Sequence, residues 1–171
     1  MSDPDFESLV ERFYESLYRF ALSLARNEHE ACDLTQQTFT IWANKGHQLR
    51  EPSKVKSWLF STLHREFLGG KRHAARFPQQ ELEASDHELP IIEPNLVSGL
   101  DGQAVLAALR EIEEPYRAPL TLFYLRDHSY QEIAEALNIP IGTVMSRISR
   151  GKQALRARFL DWKGAIHPRA P

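Results

Sequence analysis

Residues 129–156 read SYQEIAEALNIPIGTVMSRISRGKQALR, and their charge changes character halfway along. Glu132 and Glu135 stand in the first half; between Asn138 and Leu160 there is no acid, while Arg147, Arg150, Lys152, Arg156 and Arg158 follow one another. Ser129 with Glu132 three residues on is the pattern of a capping box, in which a hydroxyl and a carboxylate satisfy each other's backbone N–H groups. It predicts a short helix with Ile133, Ala134 and Leu137 inward, a tight turn from Asn138 to Gly142, and a second, longer helix. In that second helix Val144, Ile148, Leu155 and Phe159 share one face, and Met145, Ser146, Ser149, Arg150 and Gln153 share the opposite one. The stretch therefore reads as a helix-turn-helix.

The charge contrast follows from the two roles. Arg bonds guanine edges bidentately, Ser and Gln reach base edges or phosphates, and the flanking Arg147, Lys152 and Arg156 can neutralise phosphates. A run of cations on a helix is ordinarily just a solvated face. Capping box, turn and polar face together favour DNA, with the first helix supporting and the second entering the major groove.

Working outward, helical spacing covers most of the chain. Asp3 and Pro4 suit a helix start, and Phe6, Leu9, Val10, Phe13, Leu17, Phe20, Ala21 and Leu24 recur at helical intervals as far as Arg26. Asn27 and Glu30 suggest a capping box for a second helix, with Ala31, Leu34, Thr38, Ile41 and Trp42 inward, stopping before Gly46. Ser53 can cap a third helix, whose stripe of Val55, Trp58, Leu59, Thr62 and Leu63 fades at Gly69 and Gly70. From Phe77 to Asp101 the text holds three prolines, many acids and no sustained period, and reads as a tether. Helices resume at Gln103 with Val105, Leu106, Leu109 and Ile112 on one face; Pro115 and Pro119 are expected to break or restart the path before a compact apolar helix from Leu120 to Leu125. The expected fold is all-α: helical domains over 1–76 and 102–162, an acidic flexible linker over 77–101, and a tail over 163–171. Each domain is small enough to be marginally stable alone.

Composition narrows the function. The net charge of −2 conceals segregation: residues 1–33 hold eight acids against three bases, 45–76 hold eight Lys or Arg against Glu51 and Glu66, and 77–109 hold acids with no Lys or Arg. Two basic blocks separated by an acidic one suggest two polyanion-binding surfaces. No apolar run approaches the ~20 residues that cross a bilayer, and the acidic MSDPDFESL start is unlike a signal peptide, so a cytoplasmic protein without membrane insertion is expected. Cys32 is the single cysteine, which rules out an internal disulfide and a multi-Cys zinc site; Cys32 reads as a small, partly buried side chain. With no Gly-rich phosphate loop, no nucleophile elbow and scattered His, an enzyme finds little support, and neither a metal nor a cofactor is expected.

At this point the sequence resembles the extracytoplasmic-function, or group 4, sigma factors of bacterial RNA polymerase. YQEIAEALNIPIGTVMSRISRGKQAL is similar to their region 4.2, above all GTVMSRISR over Gly142 to Arg150; DLTQQTFTIW at 33–42 is similar to region 2.2, and SWLF at 57–60 to the tryptophan-bearing helix of regions 2.3 and 2.4. The helix-turn-helix alone is shared with other regulators; the order of both motifs around an acidic linker is specific. The resemblance implies that Asp33, Gln36, Gln37 and Thr40 face the clamp helices of core polymerase, with the flap as a second contact. It implies that Lys45, His47, Gln48, Arg50, Lys54, Ser57, Ser61 and His64 serve the minus-10 element, the loop KGHQLREP capturing a flipped base. It also implies that Thr143, Met145, Ser146, Arg147, Ser149, Arg150, Lys152, Gln153 and Arg156 serve the minus-35 element.

The chain departs from the family at Gln37, where Glu is frequent, at Arg65 and Gly69, where Asn and Asp are common, and at Met145, where Arg is frequent. The acidic linker, with Glu81, Glu83, Asp86 and Glu88, would thread the RNA channel of polymerase or act as an ordinary tether. The partners implied are core RNA polymerase, promoter DNA, and an anti-sigma factor or other inhibitor. The competing reading is an autonomous helix-turn-helix regulator, which leaves DLTQQTFTIW and the first basic block without a role.

Overall fold

A computed structural model describes the backbone of residues 3–76, 107–125 and 128–166, and the side chains of 5–76, 107–125 and 128–158. The expected linker over 77–101 and the inward positions Val105, Leu106 and Phe159 lie outside these side chains. Helices α1 (Asp3–Ala25), α2 (Glu28–Lys45) and α3 (Val55–Arg76) make the N-terminal half; α4 (Glu114–Tyr124), α5 (Tyr130–Leu137) and α6 (Ile141–Ile166) make the C-terminal half. Among the described residues there is no strand.

The first helical hairpin closes in two residues. Arg26 adopts a left-handed conformation (φ 65°) that ends α1, its N–H donating to the Leu22 carbonyl at 3.0 Å, and Asn27 then caps α2 by accepting from the Glu30 N–H at 2.7 Å. Along α2 the buried residues are Ala31, Thr35, Thr38, Phe39 and Trp42, one helical stripe. Two of them are threonines, whose hydroxyls donate back to the carbonyls of Ala31 and Leu34 at 2.8 and 2.7 Å and so enter the core satisfied.

Gly46 follows because a Cβ there would stand 2.6 Å from the Trp42 indole, which itself meets Trp58 edge to face at 5.1 Å. A 3-10 turn over Gly46–Gln48 and another over Pro52–Lys54 lead into α3. Ser53 lies inside the second turn and caps nothing, a departure from expectation: Glu51 precedes Pro52 at the head of the turn. The buried stripe of α3 ends at Phe67 and fades at Gly69 and Gly70 as expected, while the helix itself runs on, exposed, to Arg76.

In the C-terminal half residues 107–110 are helical, and Leu109 and Ile112 are buried. The path restarts at Pro115 as expected, the helical residues 107–110 giving way to a turn before α4 opens at Glu114, but Pro119 does not interrupt it. Pro115 sits in the first turn of α4, where its missing N–H costs no bond, and Pro119 is carried inside the helix within the buried run from Arg117 to Leu122. The long last helix continues to Ile166, past the expected domain end at 162.

The two halves lie against each other, α1 on α4 and α3 on α5. His128 stands edge-on to Phe60 at 4.5 Å. Arg117, only 3% exposed, donates to the carbonyl of Ile112 and, at 3.4 Å, to that of Leu24 in the last turn of α1, where a helix leaves carbonyls without intrahelical partners. Lys54 pairs with Glu135 at 3.0 Å, Lys56 with Glu132 at 3.4 Å, and Lys71 with Glu114.

Candidate nucleic-acid interface and polymerase face

The helix-turn-helix forms as its sequence requires. Ser129 accepts from the Glu132 N–H at 3.2 Å while the Glu132 carboxylate accepts from the Ser129 N–H at 2.7 Å, closing the capping box. These hydrogen bonds, led by the one from the Ser129 backbone, hold the Glu132 carboxyl below the usual range. Asn138 ends α5 in the left-handed region (φ 53°), and α6 starts at Ile141, so Ile141 and Gly142 belong to the helix and not to the turn.

Val144, Ile148 and Leu155 are buried. Gly151 is buried with them: a Cβ there would come within 3.1 Å of Leu120 Cδ2, so glycine lets α6 approach α4 closely. No periodicity argument had singled it out. Opposite, Met145, Ser146, Ser149, Arg150, Gln153 and Arg156 are exposed, and Thr143, Arg147 and Lys152 half-buried. Ser146 Oγ donates to the Thr143 carbonyl at 3.1 Å, which leaves its lone pairs outward. The Lys152 ammonium lies 4.0 Å from the centre of the Phe123 ring, tied to α4 by a cation–π contact. Ile141 and Met145, one turn apart, are 44% and 52% exposed, an apolar step at the start of the outward face; Ile141 was not anticipated.

The residues expected at the minus-10 element divide into two groups. Lys45 and Gln48 line a cavity of about 560 Å³ together with Ile41, Leu49, Trp58, Thr62, Arg65 and Glu66; His47 and Arg50 are exposed on the adjoining loop. Of the lining residues, Ile41, Trp58 and Thr62 were expected as inward stripe positions of their helices, and nothing local pointed Glu66 to a cavity. Arg65 donates to Thr62 Oγ1 at 3.2 Å, which fixes a guanidinium at the cavity wall. Lys54 and Ser57 instead meet Glu135 of the C-terminal half, and His64 packs beside Phe20 of α1. The Glu135 carboxyl is held below its usual range first by Lys54 and, further down, by a hydrogen bond from Ser57. The His64 imidazole is pushed below its ordinary value by burial, opposed by the charge of Glu114. Ser61, one turn beyond Ser57, is half-buried.

On α2, Asp33, Gln36, Gln37 and Thr40 are all exposed on one face. Asp33 lies 3.4 Å from His29 Nε2, and the Thr40 hydroxyl donates to the Gln36 carbonyl at 2.9 Å. Cys32 is half-buried, its thiol raised by burial and then by Asp33 and Glu28, which keeps it protonated and unreactive at neutral pH. Among the described residues, no three His, Cys, Asp or Glu side chains group as metal ligands would, and no helix is long and apolar enough to cross a membrane.

Comparison with known proteins gives this arrangement its class. Residues 9–77 match the family Sigma-70 region 2, and residues 102–155 match Sigma-70, region 4. The chain is 33% identical over 157 residues to the ECF RNA polymerase sigma factor SigE of Mycolicibacterium smegmatis, covering 90% of this chain and 61% of that protein. It is 29% identical over 158 residues to the ECF RNA polymerase sigma factor SigM of Bacillus subtilis, covering 90% and 94%. The sigma factor RpoE of Bartonella quintana, solved in complex with the anti-sigma factor NepR, superposes with a TM-score of 0.73 at 29% identity, covering 90% and 95%. The chain belongs to the sigma-70 family, in its extracytoplasmic-function class.

Proposed function

We propose that this chain is an alternative sigma factor that docks on core RNA polymerase through α2 and directs initiation by reading two promoter elements, the domains being 1–76 and 102–162 about a linker over 77–101. The observation that carries the reading is α6: an outward face of Ser, Gln, Arg and Lys with no acid between 138 and 160, backed by buried Val144, Ile148 and Leu155. On that face Ser146 and Arg150 lie about 6 Å apart along the axis and can address neighbouring base pairs of the minus-35 element. Ile141 and Met145 suit thymine methyl groups. Thr143, Arg147, Ser149, Lys152, Gln153 and Arg156 supply flanking contacts, chiefly to phosphate.

The cavity beside Lys45 and Gln48 is of a size and polarity to hold an unstacked base, with Trp58 as apolar wall and Arg65, Gln48 and Glu66 to bond its edge. His47 and Arg50, exposed on the adjoining loop, are proposed to meet the same strand, and Lys54 before α3 with Ser57, Ser61 and His64 on it to extend its path. Asp33, Gln36, Gln37 and Thr40 present acceptors to the clamp of core polymerase, the flap being met by the C-terminal domain. In this role the chain recognises and positions; bond-making stays with polymerase. An inhibitory anti-sigma protein is a further partner, a proposal supported by the likeness to the Bartonella factor.

Run-off transcription with core polymerase on a promoter library tests the role, because an autonomous regulator confers no initiation specificity on core. Within that assay, Asp33→Lys with Gln37→Lys is expected to weaken retention by core at unchanged helicity. Unaltered retention would remove α2 from the docking face.

A further inference from the structure

We propose that the cavity between α2, α3 and the loop joining them selects guanine, and that Glu66 is the residue that reads it. The inference rests on the reading of that cavity as the place of an unstacked minus-10 base. Residues 45–76 hold eight Lys or Arg against two acids, Glu51 and Glu66, and Glu66 lines the cavity. A carboxylate repels the phosphates of any strand brought near it, so a surface built only to hold DNA has no use for one there. Glu66 is half-buried and makes no ion pair or hydrogen bond among the described residues, whereas Glu114, Glu132 and Glu135 are each paired with a lysine. Its neighbour Arg65 donates to Thr62 Oγ1 instead. The carboxylate is therefore available to a ligand.

The chemistry of base edges decides which base. An ionised carboxylate only accepts, and its two oxygens suit two adjacent donors. In a duplex the amino group of cytosine is what an acidic side chain reads, but an unstacked base exposes its Watson–Crick edge as well. There guanine alone sets two donors side by side, N1–H and the N2 amino group. Adenine sets its amino group beside the N1 acceptor, cytosine beside the N3 acceptor, and thymine flanks N3–H with two carbonyl oxygens. Each of those three would turn a lone pair towards the carboxylate.

The rest of the lining completes the match. Lys45, Gln48 and Arg65 can donate to the O6 and N7 acceptors of guanine, and Trp58 gives the ring an apolar wall. A volume of about 560 Å³ admits a purine. Arg65 is held by Thr62 Oγ1 at 3.2 Å, so its guanidinium is placed before a base arrives.

The test uses the full chain bound to core polymerase, with fork-junction DNA whose single-stranded positions across the minus-10 element carry each base in turn. One position is expected to favour guanine over the other three bases by on the order of tenfold or more. Inosine there, which keeps O6, N7 and N1–H but lacks the amino group, should bind about tenfold more weakly than guanine. Glu66→Gln keeps the size and removes the charge. In that variant the guanine preference and the gap between guanine and inosine should both collapse, while strands with adenine, cytosine or thymine bind as tightly as before or more tightly. A residue that only supported the fold would weaken all four strands alike, and that outcome would overturn the proposal. So would a guanine preference that survives Glu66→Gln, or the lack of any position that favours guanine. The fluorescence of 2-aminopurine, placed at each position in turn, tells this failure from failure of the underlying reading. If no base unstacks, the cavity is not a base site and the proposal falls with it; a base that unstacks without guanine preference sinks the assignment to Glu66 alone.

Discussion

At the scale of the residue, the proposed role divides the outward face of α6 between reading and holding. Arg150 is exposed and four residues from Ser146, and the proposed role has this pair meeting adjacent base edges. Arg150→Ala is expected to cost about 1–3 kcal/mol on the preferred minus-35 duplex and to relax preference at one or two positions. Arg156→Ala, at an exposed flanking position, should weaken all duplexes alike and flatten the salt dependence. Lys152→Ala is a poorer probe of phosphate contact, because the side chain also packs its ammonium on Phe123. Affinities for an array of mutated duplexes at several salt concentrations decide between the roles: a uniform loss on Arg150→Ala with a reduced salt slope would make it a phosphate clamp. On the same array Met145→Arg should move preference at one position from thymine towards guanine, since a methyl contact is exchanged for a bidentate donor.

At the scale of the element, what could be read in advance was what is local. The capping box at Ser129 and Glu132, the cap at Asn27, the inward stripe of α1, and Val144, Ile148 and Leu155 of α6 depend on neighbours three or four residues away, and these were legible; in α2 Ala31, Thr38 and Trp42 were, while the buried Thr35 and Phe39 replace the expected Leu34 and Ile41, which are half-buried. The length of α3 and the continuity of α4 depend on residues distant in sequence. Beyond Phe67 no residue of α3 is buried, but Lys71 reaches Glu114, and burial carries α4 through Pro119. The cavity was half legible for the same reason: its loop residues lie in a basic run, whereas Ile41, Trp58 and Glu66 meet there only after folding. The glycines convert this into a prediction. A Cβ at Gly69 or Gly70 meets nothing within 4 Å, and both sit inside α3, so Gly69→Ala and Gly70→Ala should each stabilise by about 0.4–1 kcal/mol. Gly46→Ala should destabilise by about 1–3 kcal/mol, because its Cβ would overlap the Trp42 indole, which is itself buried against Trp58. Urea unfolding of the three variants checks the opposite signs, and equal effects would contradict the contrast drawn between a crowded and an open glycine.

At the scale of the whole molecule, the contact between the halves should respond to acid in two steps. His64 is half-buried with its folded value pushed below the ordinary 6.5, first by burial, so the unfolded chain binds its proton more readily than the folded one. Its contribution is therefore complete above about pH 6.5 and is lost as pH falls from there through the lower folded value. The carboxyls of Glu114, Glu132 and Glu135 are also depressed, Glu114 and Glu135 chiefly by hydrogen bonds from Lys71 and Lys54, and Glu132 chiefly by the Ser129 backbone. The stabilisation they give is present above the usual carboxylate range and disappears as pH falls through their lower folded values. Two of these carboxyls hold the halves together without belonging to either half's core, whereas Glu132 also closes the capping box of α5. Acid should therefore uncouple the halves before it melts them, with α5 weakened alongside. Calorimetry is expected to show one cooperative transition at neutral pH that separates into two as pH falls through the carboxylate range, with an earlier, smaller loss of melting temperature that begins below about pH 6.5 and that His64→Gln removes. In Glu114→Gln with Glu135→Gln, the separation should already be present at neutral pH. A single transition at every pH in that variant would mean that the buried contacts of Phe60, His128 and Arg117 couple the halves unaided, and that the ion pairs only decorate the seam.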